Sequence, residues 1–138
     1  MKPQTESKNV ETVRRLYEAR GNSDIVKTVI AQDVRWEVVE GFPYSGVYHG
    51  LNGVFDFFTR LFGDFENWHT EPAEIFEAGD RVIAIGTYSA RCKATGKEFT
   101  ARFAHVWTIC NGVIARLQQC ADTVQIARAM ASREVASI

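Results

Sequence analysis

The pattern of apolar and polar residues changes about halfway along the chain. Up to residue 65, apolar residues recur three or four positions apart with charged residues between them, which is typical of amphipathic helices. This spacing predicts helices over 6–20, 25–31 and 51–62. Between the second and third helices, the β-branched and aromatic run VRWEVV predicts a strand over 34–39, and a Gly- and Pro-rich segment predicts a loop over 41–50.

From residue 66 onwards, apolar and polar residues alternate, as in half-buried strands. Pairs that contain glycine interrupt the alternation and are typical of tight turns: Gly79-Asp80, Thr95-Gly96 and Asn111-Gly112. The pattern predicts strands near 68–78, 81–93, 97–110 and 113–121. A last helix is predicted from Thr123 to about Ser132, and Asp122 with Gln125 forms a capping-box variant at its start.

Helices followed by a meander of strands predict an α+β fold with a curved, mostly antiparallel sheet. The helices are expected to cover one face of that sheet, which leaves a cavity between the two layers. The length of 138 residues and the absence of a linker predict a single domain over 1–138.

Charge and composition argue against several classes of partner. The net charge is −1 and basic residues do not cluster, so we expect no nucleic acid partner. No apolar run approaches the length of a membrane span, so we expect no membrane partner. Three cysteines without metal-ligand spacing indicate reduced thiols in a cytoplasmic protein and no metal site, and we expect no cofactor.

Candidate chemistry concentrates in residues 103–123, FAHVWTICNGVIARLQQCADT. His105 lies inside a predicted strand that is otherwise apolar, and Gln119 and Asp122 lie near the end of the next one. A few polar groups on an apolar sheet are how small-molecule sites are usually lined. The stretch therefore predicts a pocket for a small apolar molecule.

The register of this hairpin decides which side chains face His105, and two registers are open. With a two-residue turn, His105 faces Gln118 and shares its side of the sheet with Asp122. With a three-residue loop, His105 faces Leu117 and has Gln119 on its side. We favour the second register, because it gives one mainly apolar inner face.

Several segments together resemble the nuclear-transport-factor-2-like superfamily, and within it the SnoaL-like or ketosteroid-isomerase-related proteins. The segments are VETVRRLYEA, DVRWEV, PYSGVYHGLNGVFDFF, GDRVIAIG, ATGK, AHVWTICNGVI and DTVQIARAM. The resemblance implies a cone-shaped barrel, a homodimer packed through the outer sheet face, and an apolar pocket. Relatives isomerise, cyclise, dehydrate or hydrolyse substrates there without a metal, and others only bind ligands.

The resemblance also assigns positions to the pocket. His105 falls where ketosteroid isomerase has a protonated aspartate that donates to an oxyanion, and Tyr17 falls near the oxyanion tyrosine. The isomerase's catalytic base falls on Val38, which cannot take a proton. Trp36 shares the face of Val38. The candidate substrate-binding residues are Tyr17, Trp36, Val38, Phe103, Leu117 and Gln119.

Two functional hypotheses follow from these residues. In the first, a cofactor-independent enzyme uses His105 as acid, base or oxyanion donor, with Asp122 assisting at the rim. In the second, a dimeric module binds an apolar molecule without chemistry, and Asp122 only caps the last helix. A third reading, a scaffold, applies if aromatic side chains fill the cavity. A His105 that titrates near neutral pH and is open to the cavity would favour the enzyme.

Overall fold

A computed structural model of the chain describes residues 6–131. The described residues form four helices and six strands, which is one strand more than the sequence predicts, with three of the helices before the meander. The helices are α1 (Lys8–Ala19), α2 (Ser23–Val29), α3 (Gly50–Asp64) and α4 (Thr123–Met130). The strands are β1 (Ile30–Val38), β2 (Gly46–His49), β3 (Phe65–Ala78), β4 (Arg81–Cys92), β5 (Glu98–Cys110) and β6 (Val113–Ala121). The predicted α+β class is confirmed.

The six strands form one curved sheet in the order β2-β1-β6-β5-β4-β3. Strands β3 to β6 are the predicted antiparallel meander, and β1 adds to it by pairing parallel with β6. The helices lie against the concave face, as expected. The result is the cone-shaped architecture.

Helices α1 and α3 cover the concave face of the sheet with their apolar sides. The side chain of Ser7 caps α1 by accepting a hydrogen bond from the Val10 amide at 3.1 Å. The apolar side of α1 is buried at Val10, Val13, Leu16 and Ala19. The apolar side of α3 is buried at Val54, Phe57 and Leu61. These rows pack on the inward-facing residues of the sheet and form a single core with them.

The backbones of β3 and β4 approach each other closely at Gly86. A Cβ atom at Gly86 would lie 2.1 Å from the carbonyl oxygen of Glu71, so only glycine allows the two backbones to approach this closely. The pairing of β3 with β4 slips by one residue at the same level, between Pro72 and Glu74. A bulge opposite a glycine is a common device for curving a sheet, and here it turns β3 around the cavity.

The β5–β6 hairpin corrects both expected registers. Cys110 pairs with Val113 across a two-residue turn, not the favoured three-residue loop. A bulge then shifts the register, so that His105 pairs directly with Gln119. From Leu117 onwards, the residues of β6 that face inward are therefore those of the favoured register. The cause is the bulge and not the length of the turn.

Smaller differences concern element ends. Residues 30 and 31, expected in the second helix, begin β1, and the loop expected over 41–50 contains the short edge strand β2. The expected cap from Asp122 is absent, because its side chain makes no capping hydrogen bond although it occupies the N-cap position. The expected helix end at Ser132 lies outside the described residues.

Candidate functional site

A cavity of about 510 Å³ opens between the helices and the concave face of the sheet. That volume lies within the range of small-molecule sites. The space is not filled by the aromatic side chains around it, which counts against a purely structural scaffold. Residues lining its inner wall include Tyr17, Trp36, Phe57, Trp68, Tyr88, His105, Trp107, Leu117 and Gln119.

His105 occupies the centre of this wall and is held at both ring nitrogens. Its Nδ1 lies 2.7 Å from the hydroxyl oxygen of Tyr17 on α1. Its Nε2 lies 2.5 Å from the hydroxyl oxygen of Tyr88 on β4. The imidazole is 4% exposed and stacks on Phe103 at a ring-centroid distance of 4.1 Å. The two tyrosines therefore fix both the position and the orientation of the imidazole ring.

Each tyrosine hydroxyl also receives a hydrogen bond from a neighbour. The indole nitrogen of Trp107 donates to the Tyr17 oxygen at 2.9 Å. The side-chain nitrogen of Gln119 donates to the Tyr88 oxygen at 3.0 Å, while its oxygen accepts from the Val39 amide at 3.2 Å. Gln119 is thus bound at both ends. Five side chains from α1, β4, β5 and β6 form one connected network.

Burial sets the charge state of this network. It lowers the pKa of His105 to about 3, because the charged imidazolium would lose its hydration and gain no carboxylate in return. Burial also raises the pKa of Tyr17 and of Tyr88, although hydrogen bonds from Trp107 and Gln119 oppose this. At neutral pH the network therefore contains a neutral imidazole and two neutral phenols.

In the neutral network, one tyrosine hydroxyl proton has no hydrogen-bond acceptor. A neutral imidazole donates from one nitrogen and accepts at the other, so it donates to one tyrosine oxygen and accepts from the other tyrosine. The tyrosine that receives the imidazole N–H keeps its own proton. No described residue accepts that proton by a hydrogen bond. In either tautomer, one of Tyr17 and Tyr88 has a hydroxyl donor to spare.

Most of the residues expected at the pocket do line the cavity. Tyr17, Trp36, His105, Leu117 and Gln119 are all part of its wall. Gln119 is closer to His105 than expected, because the bulge places the two directly opposite each other.

Two expected pocket residues are core residues instead. Val38 is 5% exposed and Phe103 is 3% exposed, and neither belongs to the cavity wall. Phe103 is covered by the side chains stacked on it, with its ring centroid 4.6 Å from that of Tyr88 and 4.1 Å from that of His105. These contacts place Phe103 against the network and outside the cavity wall.

Asp122 does not join His105. Its side chain is exposed, and it lies outside the cavity wall beside Arg102 and Cys120 on the other side of the sheet. Its backbone amide donates to the Arg102 carbonyl at 2.9 Å, which anchors the start of α4 to β5. Asp122 therefore does not lie at the pocket rim where it was expected: Gln119 faces inward, Cys120 faces outward, and β6 ends at Ala121.

Tyr88 is the main functional residue that the sequence did not single out. It lies at an inward position of β4, and strand alternation alone could have placed it on the concave face. Trp68 was missed for another reason. Strand β3 lines the cavity with the continuous run of residues 68–72, and its register against β4 shifts at both ends of that run. Strand alternation does not predict such a run.

Metal chemistry finds no support in residues 6–131, where no cluster of three His, Cys, Asp or Glu side chains could hold an ion. The three cysteines are free thiols. Within the same residues, none of the helices has both the length and the apolar character needed to cross a membrane.

The model of the SnoaL-like domain matches residues 13–117, which is most of the chain. The chain belongs to the SnoaL-like domain family. Its fold and the segments that first suggested the resemblance agree with this membership. No curated protein matches the sequence.

Solved structures of similar proteins share the whole fold. A nuclear-transport-factor-2-like protein of unknown function from Burkholderia pseudomallei K96243 is 30% identical, with a TM-score of 0.84, 92% of this chain covered and 100% of that chain. A similar protein from Burkholderia thailandensis E264 is 31% identical, with a TM-score of 0.84 and coverages of 91% and 99%. TerC, co-crystallised with polyporic acid, is 26% identical, with a TM-score of 0.81 and coverages of 89% and 98%.

Proposed function

We propose that this protein binds a small, largely aromatic molecule in the cavity and presents a tyrosine hydroxyl to an oxygen atom of that molecule. The observation that carries the proposal is the surplus hydroxyl proton of the Tyr17–His105–Tyr88 network. A hydroxyl donor without a protein acceptor, on the wall of a cavity of about 510 Å³, is available for a ligand.

Tyr17 is the better donor to the ligand. Its hydrogen bonds are only partly buried, whereas those between Tyr88, His105 and Gln119 are buried. We therefore assign the imidazole proton to Nδ1, which donates to the Tyr17 oxygen. Tyr88 then donates to Nε2, and the Tyr17 hydroxyl turns its own proton towards the cavity.

Binding is favoured over acid–base catalysis by the state of His105. With a pKa of about 3, the imidazole carries no proton to give at its acceptor nitrogen, and both nitrogens are already engaged. Asp122 is exposed and outside the cavity wall. A proton shuttle between ligand carbons would need a base that neither residue provides.

Tryptophan fluorescence gives a direct binding test, because all three tryptophans of the chain line the cavity: Trp36, Trp68 and Trp107. Polyporic acid, the compound co-crystallised with TerC, is the probe. We expect saturable quenching by polyporic acid. Native mass spectrometry of gently purified protein is the companion experiment and should detect a bound small molecule.

Two variants test whether binding depends on the Tyr17 hydroxyl. Tyr17→Phe removes the proposed donor and should weaken polyporic acid binding by about tenfold. Tyr48→Phe is the matched control, because the Tyr48 hydroxyl bonds the Tyr44 carbonyl and lies outside the cavity wall. Equal affinities for all three proteins would contradict the role of Tyr17. No quenching, together with no bound molecule in the mass spectrum, would contradict binding itself.

We also propose that two copies pair through the outer sheet face. There, Phe76, Ile83 and Val106 are neighbours across three strands, and Phe76 is 46% exposed. An apolar row on an otherwise uncovered sheet face is typical of an association surface. Sedimentation equilibrium should give a dimer for the wild type and a folded monomer for Val106→Glu. A wild-type monomer at all concentrations would contradict pairing.

A further inference from the structure

The three indole groups in the cavity wall differ in one respect. Trp107 Nε1 donates to the Tyr17 hydroxyl at 2.9 Å, and Trp68 Nε1 donates to the Thr70 hydroxyl at 3.0 Å. Trp36 Nε1 is buried, and within the described part of the chain it has no hydrogen-bond partner. The whole Trp36 side chain is buried, with 4% of the residue exposed.

The surroundings of Trp36 explain why its N–H stays unpaired. The indole meets Phe58 edge-on at a ring-centroid distance of 5.7 Å and Trp107 at 5.6 Å, and Phe57 lies 6.5 Å away. None of these side chains offers an oxygen acceptor. Packing alone could be served by phenylalanine, which would bury no donor. A buried polar group without a partner is rare in native proteins, and a ligand atom is a common partner for one in a cavity wall.

We propose that Trp36 is a second ligand-anchoring residue, whose indole N–H donates to an oxygen of the molecule bound in the cavity. The inference rests on the proposed function, since it adds a contact to the same ligand. Trp107 packs against both Tyr17 and Trp36, at 5.9 and 5.6 Å between ring centroids. Both residues therefore pack against one indole ring, and the proposal places a single molecule in contact with both.

The chemistry of the wall then defines the ligand class. In the aromatic part of the wall, the Tyr17 hydroxyl and the Trp36 indole are both donors, and both ends of Gln119 are occupied. The side chains packed around these two donors are mostly aromatic rings, which favour flat aromatic ligands. Near these two donors, the site therefore favours an aromatic molecule with two acceptor oxygens, such as carbonyl or phenolate oxygens, over a hydrocarbon of the same size.

Nuclear magnetic resonance of the full chain labelled with ¹⁵N-tryptophan tests this contact. The three indole signals are assigned with single Trp→Phe variants. On addition of polyporic acid, which is a dihydroxybenzoquinone with two phenyl rings, the Trp36 indole proton should move downfield and exchange more slowly with solvent. The Trp68 indole is the internal reference, because its N–H already has a partner.

Affinity gives the second readout. Trp36→Phe keeps an aromatic wall and should weaken polyporic acid binding by about tenfold, which is ~1.4 kcal/mol. Binding of biphenyl, which has no oxygen, should not change. An equal loss for both probes, or an unmoved Trp36 signal at saturation, would overturn the Trp36 contact while leaving the binding function intact. If neither probe binds the wild type, the binding function and this contact fail together.

Discussion

Removing the Tyr88 hydroxyl is the sharpest way to perturb the polar network of the cavity. The hydroxyl meets His105 Nε2 at 2.5 Å and receives the Gln119 amide at 3.0 Å, and both contacts are buried. Tyr88→Phe keeps the ring, so its stacking on Phe103 at 4.6 Å persists. The substitution therefore isolates the loss of one oxygen atom.

The expected cost follows from the groups left without partners. His105 Nε2 and the Gln119 amide both lose their hydrogen bond in a place from which bulk water is excluded. Each buried polar group left unsatisfied costs about 1–3 kcal/mol, so Tyr88→Phe should destabilise the protein by about 3 kcal/mol. Tyr17→Phe also leaves two groups without a partner, but their hydrogen bonds are only partly buried, so cavity water can replace the hydroxyl. Its cost should be nearer about 1 kcal/mol.

Urea unfolding followed by circular dichroism measures both free energies of unfolding at neutral pH. The slope against denaturant should match the wild type in each variant, which shows that the folded state is kept. The reasoning is refuted if Tyr88→Phe costs less than Tyr17→Phe, or if both costs are below about 0.5 kcal/mol. Either result would mean that His105 and Gln119 find other partners.

Two further predictions concern pH and backbone packing. Burial lowers the pKa of His105 from 6.5 to about 3, so between those values the unfolded chain binds the extra proton. Stability should be full above about pH 7 and fall as the pH decreases, by about 2 kcal/mol at about pH 5. His105→Gln should lack this part of the urea-measured pH dependence, and identical slopes in both proteins would exclude it. Gly86→Ala should destabilise by about 3 kcal/mol, because its Cβ would lie 2.1 Å from the Glu71 carbonyl oxygen. Gly63→Ala, on α3 with open space around it, should stabilise the protein by about 0.5 kcal/mol. Thermal melts of both variants test this pair, and melting temperatures equal to that of the wild type would contradict both assignments.

The order of elements was predictable because it depends on local periodicity and on glycine turns. Alternation in the second half predicted all four strands of the meander, and Asn111-Gly112 predicted the turn between β5 and β6. The edge strand β2 was missed, because its four residues lie in a Gly- and Pro-rich segment and become a strand only by pairing with β1. Pairing of this kind is a tertiary effect that a short segment does not encode by itself.

The site was predictable only in part. His105 and Gln119 could be chosen because polar residues on an apolar strand are unusual, whereas Tyr88 fits a strand so well that nothing distinguished it. The pairing of His105 with Gln119 depends on a bulge, which the turn residues by themselves do not predict. The low pKa of His105 likewise arises from burial by distant parts of the chain.

The central claim is that His105 is neutral and bonded at both nitrogens, so that one tyrosine hydroxyl is left for a ligand. Nuclear magnetic resonance of protein labelled with ¹⁵N-histidine reads the protonation of each ring nitrogen. At about pH 6 we expect Nδ1 of His105 to be protonated and Nε2 not, with no change down to about pH 5. Two protonated nitrogens at about pH 6, or a titration centred near 6.5, the ordinary value, would contradict the account.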